Sequence, residues 1–540
     1  MQILSSKKRE VATSFYGGVL ILSFSTVIVK VIGLVYKIPM LSFLGSEGMG
    51  YFNSAYEIYA LLCVISTAGL PTALSMLVSS YRERGNQDDI KKIYRNALSL
   101  FLILGITGSV ILFIFAGKIS AIIKNESVFY SIIAIAPALL FVCISSAVRG
   151  YFQGYLKMLP TAISQLIEAV GKLVFGLFFA KTALDSGYDL SIVAAYAVFG
   201  LTLGTFLSTL YLIVVKILNN KNIKRSFKNR QATENPMPLL LKIAFPITIS
   251  YAVVSITRIV DMALIMRRLQ DIGYTSGVAN EIYGIYTTVA VPIFSLVPSL
   301  LAPISMSLVP SLAANLEKVK GRADVVSKAV KITVFFAMPS SLAIILFSSP
   351  IISLLFFNIG NEISYASRLL SLLGASVLFS CMISTTNAIL QSYRKVYRPI
   401  ISMSIGAAVK IISAYILIGI PEINVLGAPI STFLCDLTIT IINLVSVYKL
   451  GEKSVGSLSI YSKPLISSFG ALLTSFAFYS FLLKNTRSEV FSFLLAAAVA
   501  VFLYVVLSFL TKSITFDDIN EIPFGDKICR CLKIKTIKKN

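Results

Sequence analysis

Apolar residues occur in long runs along most of the chain, without the strict alternation of amphipathic strands. The runs are about 18 to 30 residues long between charged residues or Pro and Gly breaks, enough to cross a bilayer as an α-helix. We count about 14 such runs in the 540 residues. The pattern predicts an all-α integral membrane protein with no room for a sizeable soluble domain.

Composition supports a bilayer as the solvent. Apolar residues make up 56% of the chain and charged residues 14%, against about 45–50% and 25% in soluble proteins. Most of the apolar surface is therefore expected to face lipid.

Basic residues outnumber acidic ones by 48 to 25, a formal net charge of +23. When the predicted spans alternate across the membrane, most Lys and Arg residues fall on the side of the amino terminus. This bias follows the positive-inside rule and predicts a cytoplasmic N-terminus and a cytoplasmic basic tail. Orientation and anionic lipid headgroups explain the charge, so nucleic acid is not an expected partner. The apolar stretch that follows Lys7, Lys8 and Arg9 is interpreted as an uncleaved first span.

The chain contains no His, which removes the usual near-neutral general base, Ser-His triads and most zinc sites. It also lacks a phosphate-binding loop of the GxxxxGK[ST] type, so an ATPase is not favoured. An enzyme is not expected, and no metal or bound cofactor is predicted. Transport energy would come from a Na⁺ or H⁺ gradient or from the gradient of the substrate itself.

The longest polar stretch, residues 219–238, divides the first twelve spans into two sets of six. It is predicted to be a cytoplasmic linker. The predicted organisation is an N-terminal lobe (1–218), the linker, a C-terminal lobe (239–450), two further helices (451–511) and a basic cytoplasmic tail (512–540).

The two lobes share sequence. QGYLKMLP at 153–160 is matched by QSYRKVYRP at 391–399, with Gln, Tyr and Lys recurring 238 residues later. Lys172 and Lys410 lie 238 residues apart as well. We interpret this as a duplication. Because each unit has an even number of spans, the two six-helix lobes are predicted to be parallel, around a central cleft that opens to either face.

Charged residues inside predicted spans are candidate site residues, since a charge at the bilayer centre costs about 2.5 to 3.5 kcal/mol. Lys30 and Lys37, separated by Gly33, lie on one face of the first helix. Lys37 is at its outer edge, where snorkelling to headgroups is an equal alternative. The other candidates are Lys172, Arg258, Arg368, Lys410, Glu57, Glu168, Asp261 and Asp436.

A polar stripe of Thr161, Gln165, Glu168 and Lys172 follows helical spacing on the fifth span. Glu168 and Lys172 are close enough in sequence to pair, so a structural ion pair and a substrate contact are both open. Gly406 replaces Glu168 in the second lobe, so Lys410 needs another partner.

Arg258 and Asp261 form a similar potential pair on the seventh span. Lys410 is expected to meet Asp436, Asp261 or an anionic ligand. The eighth span carries Pro292, Pro298, Pro303 and Pro310. Their freed carbonyls are expected to line a cavity or act in a gate, or the prolines only shape packing.

Several of these amines have no acid on their own helix. The predicted substrate therefore carries phosphate, for which the cleft residues are Lys30, Lys37, Lys172, Arg258, Lys410, Gln165 and Glu168. Asp261 and Asp436 are the predicted ion-coupling residues.

Four segments resemble the stage V sporulation protein B and MurJ-type lipid II flippase branch of the multidrug/oligosaccharidyl-lipid/polysaccharide exporter superfamily. They are KVIGLVYKIP with LGSEGMGYF, STAGLPTALSMLV, RGYFQGYLKMLPTAISQLIEAVGK, and AFPITIS with VPSLLAPISMSLVPSLAAN. The resemblance covers roughly residues 10 to 510.

The resemblance implies two six-helix lobes plus two helices, and export of an undecaprenyl-pyrophosphate-linked sugar, with lipid II as the first choice. It implies that a cationic cleft holds the diphosphate and that the lipid tail lies near the last two helices. Lys30 and Lys37 correspond to basic residues of the family. The chain departs from the Gram-negative pattern at Tyr36-Lys37, where that pattern has Arg-Asp, and at Tyr51, where it has an acid.

Three other functions remain as alternatives. One is export of another lipid-linked polysaccharide. In a cation-coupled multidrug exporter, the acids Asp261, Glu168 and Asp436 would bind cations. In a non-transporting scaffold the chain would position cell-wall synthesis enzymes, which are in any case candidate partners beside membrane lipids. We expect a monomer in the bacterial plasma membrane.

Overall fold

The computed structural model describes residues 2–67, 69–83, 87–220, 237–301, 319–356, 360–393, 395, 397–486 and 488–513. Every regular element within these ranges is helical. Helices satisfy their own backbone hydrogen bonds, which the bilayer interior requires. The predicted all-α membrane fold is therefore confirmed.

Fifteen helices organise these ranges, together with short 3₁₀ turns. They are α1 (Gln2–Thr67), α2 (Gly69–Glu83), α3 (Gln87–Ile122), α4 (Phe129–Gly154), α5 (Leu159–Asp185), α6 (Leu190–Asn220), α7 (Met237–Asp271), α8 (Ser276–Leu301), α9 (Val319–Leu346), α10 (Ser348–Leu355), α11 (Ile363–Ser392), α12 (Tyr397–Ile418), α13 (Gly427–Tyr448), α14 (Leu458–Thr486) and α15 (Glu489–Leu510).

Twelve helical segments in the described ranges are long and apolar enough to cross a membrane. One of them, Phe24–Arg82, has 59 residues and contains a sharp kink at Gly45, whose φ of 63° and ψ of 179° are not helical. Glycine adopts this positive φ at no steric cost, so the chain can turn there between two spans. With this division, and with the 35-residue α7, the described helices agree with the predicted number of about 14.

The chain divides into two compact units. Unit 1 is Met1–Pro292 with Ile411–Ala428, and unit 2 is Ile293–Lys410 with Pro429–Asn540. The sequence-based domain boundaries and the central cleft stay predictions. Residues 221–236 of the linker, Pro303, Pro310 and the tail from 514 onward lie outside the described residues.

Small residues bring the helices of unit 1 together. A Cβ on Gly200 of α6 would lie 2.3 Å from Cα of Gly176 on α5, and a Cβ on Gly171 would lie 2.7 Å from Cα of Gly204. Gly200 and Gly204 are spaced as in the GxxxG motif, which lets helix backbones approach closely in lipid. This close pairing of α5 and α6 fixes the helix that carries Glu168 and Lys172.

Unit 2 has a core of aliphatic side chains at helical spacing. Val326, Val330 and Val334 of α9 pack with Ile389 of α11 and Val447 of α13. The added C-terminal pair is joined to this core by α15, where Tyr504 Oη donates a hydrogen bond of 2.6 Å to the carbonyl of Phe335.

Candidate functional site: amines in the interior of unit 1

Lys37 connects α1 to the interior of α8. Its Nζ donates a hydrogen bond of 2.8 Å to the backbone carbonyl of Thr287. The side chain is half-buried. The structure therefore gives Lys37 an inward partner in unit 1, in place of the headgroup contact that snorkelling would require.

The carbonyl of Thr287 is available because α8 changes register at this point. Residues Tyr286–Ala290 form a π-helical turn, and the N–H of Val291 bonds to the carbonyl of Tyr286. In the same register the donor for Thr287 would be residue 292, which is a proline without an N–H. A π turn next to proline thus leaves one carbonyl for a side chain to satisfy.

Asn53 holds the same turn from the second half of α1. Its Nδ2 donates to Thr287 Oγ1 at 3.0 Å and to Thr288 Oγ1 at 2.8 Å. Two glycines allow this approach, because a Cβ on Gly50 would lie 2.3 Å from the carbonyl oxygen of Asn280, and one on Gly284 would lie 1.8 Å from that of Ser46. The LGSEGMGYF segment is therefore required for close packing of α1 on α8.

Lys172 lies inside a cage of aromatic rings. Its Nζ is 5.1 Å from the ring centroid of Tyr36, 5.4 Å from that of Phe52 and 4.8 Å from that of Tyr56. Ring faces attract a cation electrostatically, and the attraction grows when water is excluded. The three rings hold the ammonium group in the interior of unit 1, and no carboxylate among the described residues forms a salt bridge with it.

The two amines are neighbours. Lys37 interacts electrostatically with the like charge of Lys172 and with the carboxylate of Glu57. Lys37 belongs to α1 and Lys172 to α5, so the folded unit brings together two basic residues that are far apart in sequence.

Glu168 of α5 pairs with Arg149 of α4. Arg149 Nη2 lies 2.8 Å from Glu168 Oε2 and 3.1 Å from Ser208 Oγ, and Nε donates to Ser164 Oγ at 2.9 Å. The sequence left open whether Glu168 pairs with Lys172. The structure gives Glu168 an ion pair with Arg149 instead. Arg149 lies within α4, and its position inside the apolar run ALLFVCISSAVRG was the available signal.

The remaining candidates of unit 1 lie nearby with different exposures. Lys30 and Arg258 are exposed side chains that interact electrostatically with each other. Asp261 is half-buried and interacts with Tyr283 of α8. Gln165 has a buried Oε1 with no hydrogen-bond partner among the described residues.

Unit 2 contains the two other predicted site residues. Asp436 of α13 and Lys410 of α12 interact electrostatically and are both half-buried. Asp436 is thus the acid that the structure brings to Lys410 within this unit. Arg368, the other intramembrane cation, is exposed on α11. A binding role for any of the nine candidates stays a prediction.

Comparisons with known proteins place this architecture in a family. The model of the polysaccharide biosynthesis protein family matches residues 15–316, more than half of the chain. The chain belongs to this family. It is 24% identical over 529 residues to stage V sporulation protein B of Bacillus subtilis (strain 168), covering 94% of the chain and 98% of the relative.

Two further matches narrow the branch. Lipid II flippase MurJ of the same organism is 26% identical over 421 residues, 73% of the chain and 76% of the relative. A solved structure of lipid II flippase MurJ in an inward closed conformation superposes with a TM-score of 0.68 at 19% identity, over 91% of the chain and 98% of the structure. The chain is therefore a multi-pass membrane protein of the MurJ and stage V sporulation protein B branch of the superfamily, in which the relative MurJ is named as a flippase.

Proposed function

We propose that the protein is a flippase that moves an undecaprenyl-pyrophosphate-linked cell-wall precursor, with lipid II as the first candidate, across the bacterial plasma membrane. A relative named lipid II flippase MurJ supports this class of substrate. In the proposed orientation both termini are cytoplasmic, as the distribution of basic residues predicts.

The observation that carries the proposal is that Lys172 Nζ lies 5.1 Å from the ring centroid of Tyr36, the residue before Lys37, so that the two amines interact electrostatically in the interior of unit 1. Two like charges at this depth repel each other and are costly to bury, unless an anion binds to them. The aromatic cage keeps Lys172 in place, and the long side chain of Lys37 can change its partner. A diphosphate offers several oxygens that accept charge-assisted hydrogen bonds from both amines.

The charge balance around this pair also favours an anion. Among the charged residues of unit 1 discussed above, five are basic and three are acidic, and Arg149 pairs with Glu168 at 2.8 Å. The acids are Glu57, Glu168 and Asp261. A cationic drug would require the opposite excess. The basic members are Lys30, Lys37, Arg149, Lys172 and Arg258.

Movement of the substrate would follow alternating access between the duplicated halves. Coupling to Na⁺ or H⁺ through Asp261 and Asp436 is part of the proposal. Lys410 supplies a positive charge near Asp436, so a bound cation there would compete with this ammonium group.

Reconstituted vesicles test the proposal. Lys37→Met and Lys172→Met should each reduce lipid II flipping by about tenfold or more, because each removes a charge-assisted contact worth roughly 1.5–3 kcal/mol. Lys181→Met is the matched control, since Lys181 is an exposed lysine at the end of α5 and its loss should leave flipping unchanged.

Three substrates distinguish the alternatives in the same vesicles. Transport of another polyprenyl-diphosphate sugar but not lipid II would reassign the glycan. Transport of a cationic dye, unaffected by Lys37→Met, would contradict the flippase and favour the multidrug exporter. Flipping with no dependence on either amine would remove the site from the proposal.

A further inference from the structure

The hydrogen bond between Lys37 and Thr287 joins a candidate substrate residue to a backbone irregularity. Lys37 Nζ lies 2.8 Å from the Thr287 carbonyl oxygen, within the π turn Tyr286–Ala290. The π turn and Pro292 together withhold the backbone donors that this carbonyl would otherwise have. The conformation of α8 at this turn therefore depends on a side chain from another helix.

The proposed substrate would bind the same ammonium group of Lys37. Lys37 interacts electrostatically with Lys172, whose ammonium lies against the rings of Tyr36, Phe52 and Tyr56. An anion that binds both amines competes with the Thr287 carbonyl for Lys37. A carbonyl is a neutral acceptor, and a phosphate oxygen is a charged one that binds an ammonium group more strongly.

We infer that Lys37 is a positioning residue that couples arrival of a diphosphate to the shape of α8: the ammonium holds the π turn closed until the anion draws it away from Thr287. The inference rests on the proposed function, because the anion is the headgroup of the proposed substrate. The inference adds that the π turn of α8 is the element that responds to the anion.

Asn53 makes the response local. Its amide bonds the hydroxyls of Thr287 and Thr288, which remain bonded when Lys37 leaves. The turn therefore loses one of its two attachments to α1, and the carbonyl at 287 must find water or a new backbone register. Such a local change in a helix with a π turn is suited to a hinge.

Hydrogen exchange of the amides between 286 and 292 measures the effect in nanodiscs. Undecaprenyl pyrophosphate should raise their exchange rate by at least tenfold, whereas undecaprenol, which lacks the diphosphate, should not. Lys37→Met should show the fast rate without any ligand and no further response. Lys181→Met is the matched control and should behave as the native protein.

Pro292→Ala tests the role of the missing N–H at 292 while Lys37 is retained. Alanine at 292 supplies an N–H that can reach the Thr287 carbonyl in the π register. Exchange in Pro292→Ala should be slow with and without undecaprenyl pyrophosphate, and Lys37→Met/Pro292→Ala should return to the slow native rate.

The outcomes separate the inference from the proposed function. Native mass spectrometry measures binding of undecaprenyl pyrophosphate independently. Binding without any change in exchange, or a slow rate in Lys37→Met alone, would overturn the coupling and leave the flippase proposal standing. Absence of binding to the native protein would contradict the proposed substrate, and the ligand-free arms would still decide whether Lys37 holds the turn.

Discussion

The polar interiors of the two repeats differ in charge at equivalent positions. In unit 1 a guanidinium at Arg149 bonds Ser164, Ser208 and the carboxylate of Glu168. In unit 2 the residue 238 positions after Arg149 is Asn387, an amide.

Unit 2 has an uncharged hydrogen-bond network at the corresponding positions. Asn443 Nδ2 donates to Asn387 Oδ1 at 2.8 Å, and Ser402 Oγ donates to Asn443 Oδ1 at 2.7 Å. Ser402 is the counterpart of Ser164, and each donates to the carbonyl three residues earlier, at 3.0 and 2.7 Å. The duplicated helices therefore conserve hydroxyl positions, and only unit 1 buries a paired charge there.

The difference shows how equivalent positions hold a buried charge in unit 1 and an uncharged amide in unit 2. In unit 1 Glu168 forms an ion pair with Arg149 and also acts electrostatically on Lys172, on the next turn of α5. In unit 2 the acid and the guanidinium are both missing, and Lys410 interacts with Asp436 instead. We expect the substrate headgroup to be held by unit 1.

Removal of Arg149 gives the largest expected effect. Arg149→Met leaves Glu168 without its cation and should lower the free energy of unfolding by about 3 kcal/mol, at the low end for a buried pair because Glu168 retains 31% exposure. Thermal unfolding in detergent measures the loss.

The double variant Arg149→Met/Glu168→Gln tests the cause. It removes both charges and should recover most of the stability, since no unpaired carboxylate remains. Equal losses in the single and double variants would show that packing of the arginine stem, not charge, distinguishes the two units.

The second-largest loss of stability is expected for a substitution at Gly406, where the helices pack closely. A Cβ at this position would lie 2.3 Å from Ile439 Cγ1, so Gly406→Ala should destabilise the protein by about 2 kcal/mol through overpacking. Ile439→Ala opens that space, and the double variant should cost less than the sum of the singles. Strict additivity in the same unfolding assay would show that Ile439 does not contact the methyl group introduced at 406.

The sequence predicted the membrane helices well, because bilayer-length apolar runs are local signals; the duplication stays a prediction. The sequence also identified Lys37, Lys172 and Glu168 as charges that need partners. It did not identify the partners. The Arg149 pair spans two helices, and the Thr287 carbonyl belongs to the backbone, so neither leaves a spacing pattern on one helix.

The smallest expected effect concerns a bond that the repeats share. Thr209 Oγ1 donates to the carbonyl of Phe141 at 2.9 Å, and Thr440 Oγ1 donates to that of Phe379 at 3.1 Å. Phe379 follows Phe141 by 238 residues and Thr440 follows Thr209 by 231, and the two bonds join corresponding pairs of helices, α4 with α6 and α11 with α13.

Thr209→Val and Thr440→Val should each lower the free energy of unfolding by about 1 kcal/mol, because valine keeps the shape and removes one buried hydrogen bond. Chemical unfolding of both variants beside the native protein provides the measurement. Equal losses in the free energy of unfolding would show that the threonine hydrogen bond stabilises both units alike. The difference between the units would then lie in their charges. A loss confined to Thr209→Val would mean that the hydrogen-bond network itself has diverged, because the hydroxyl would then stabilise only the unit that contains Arg149 and Glu168.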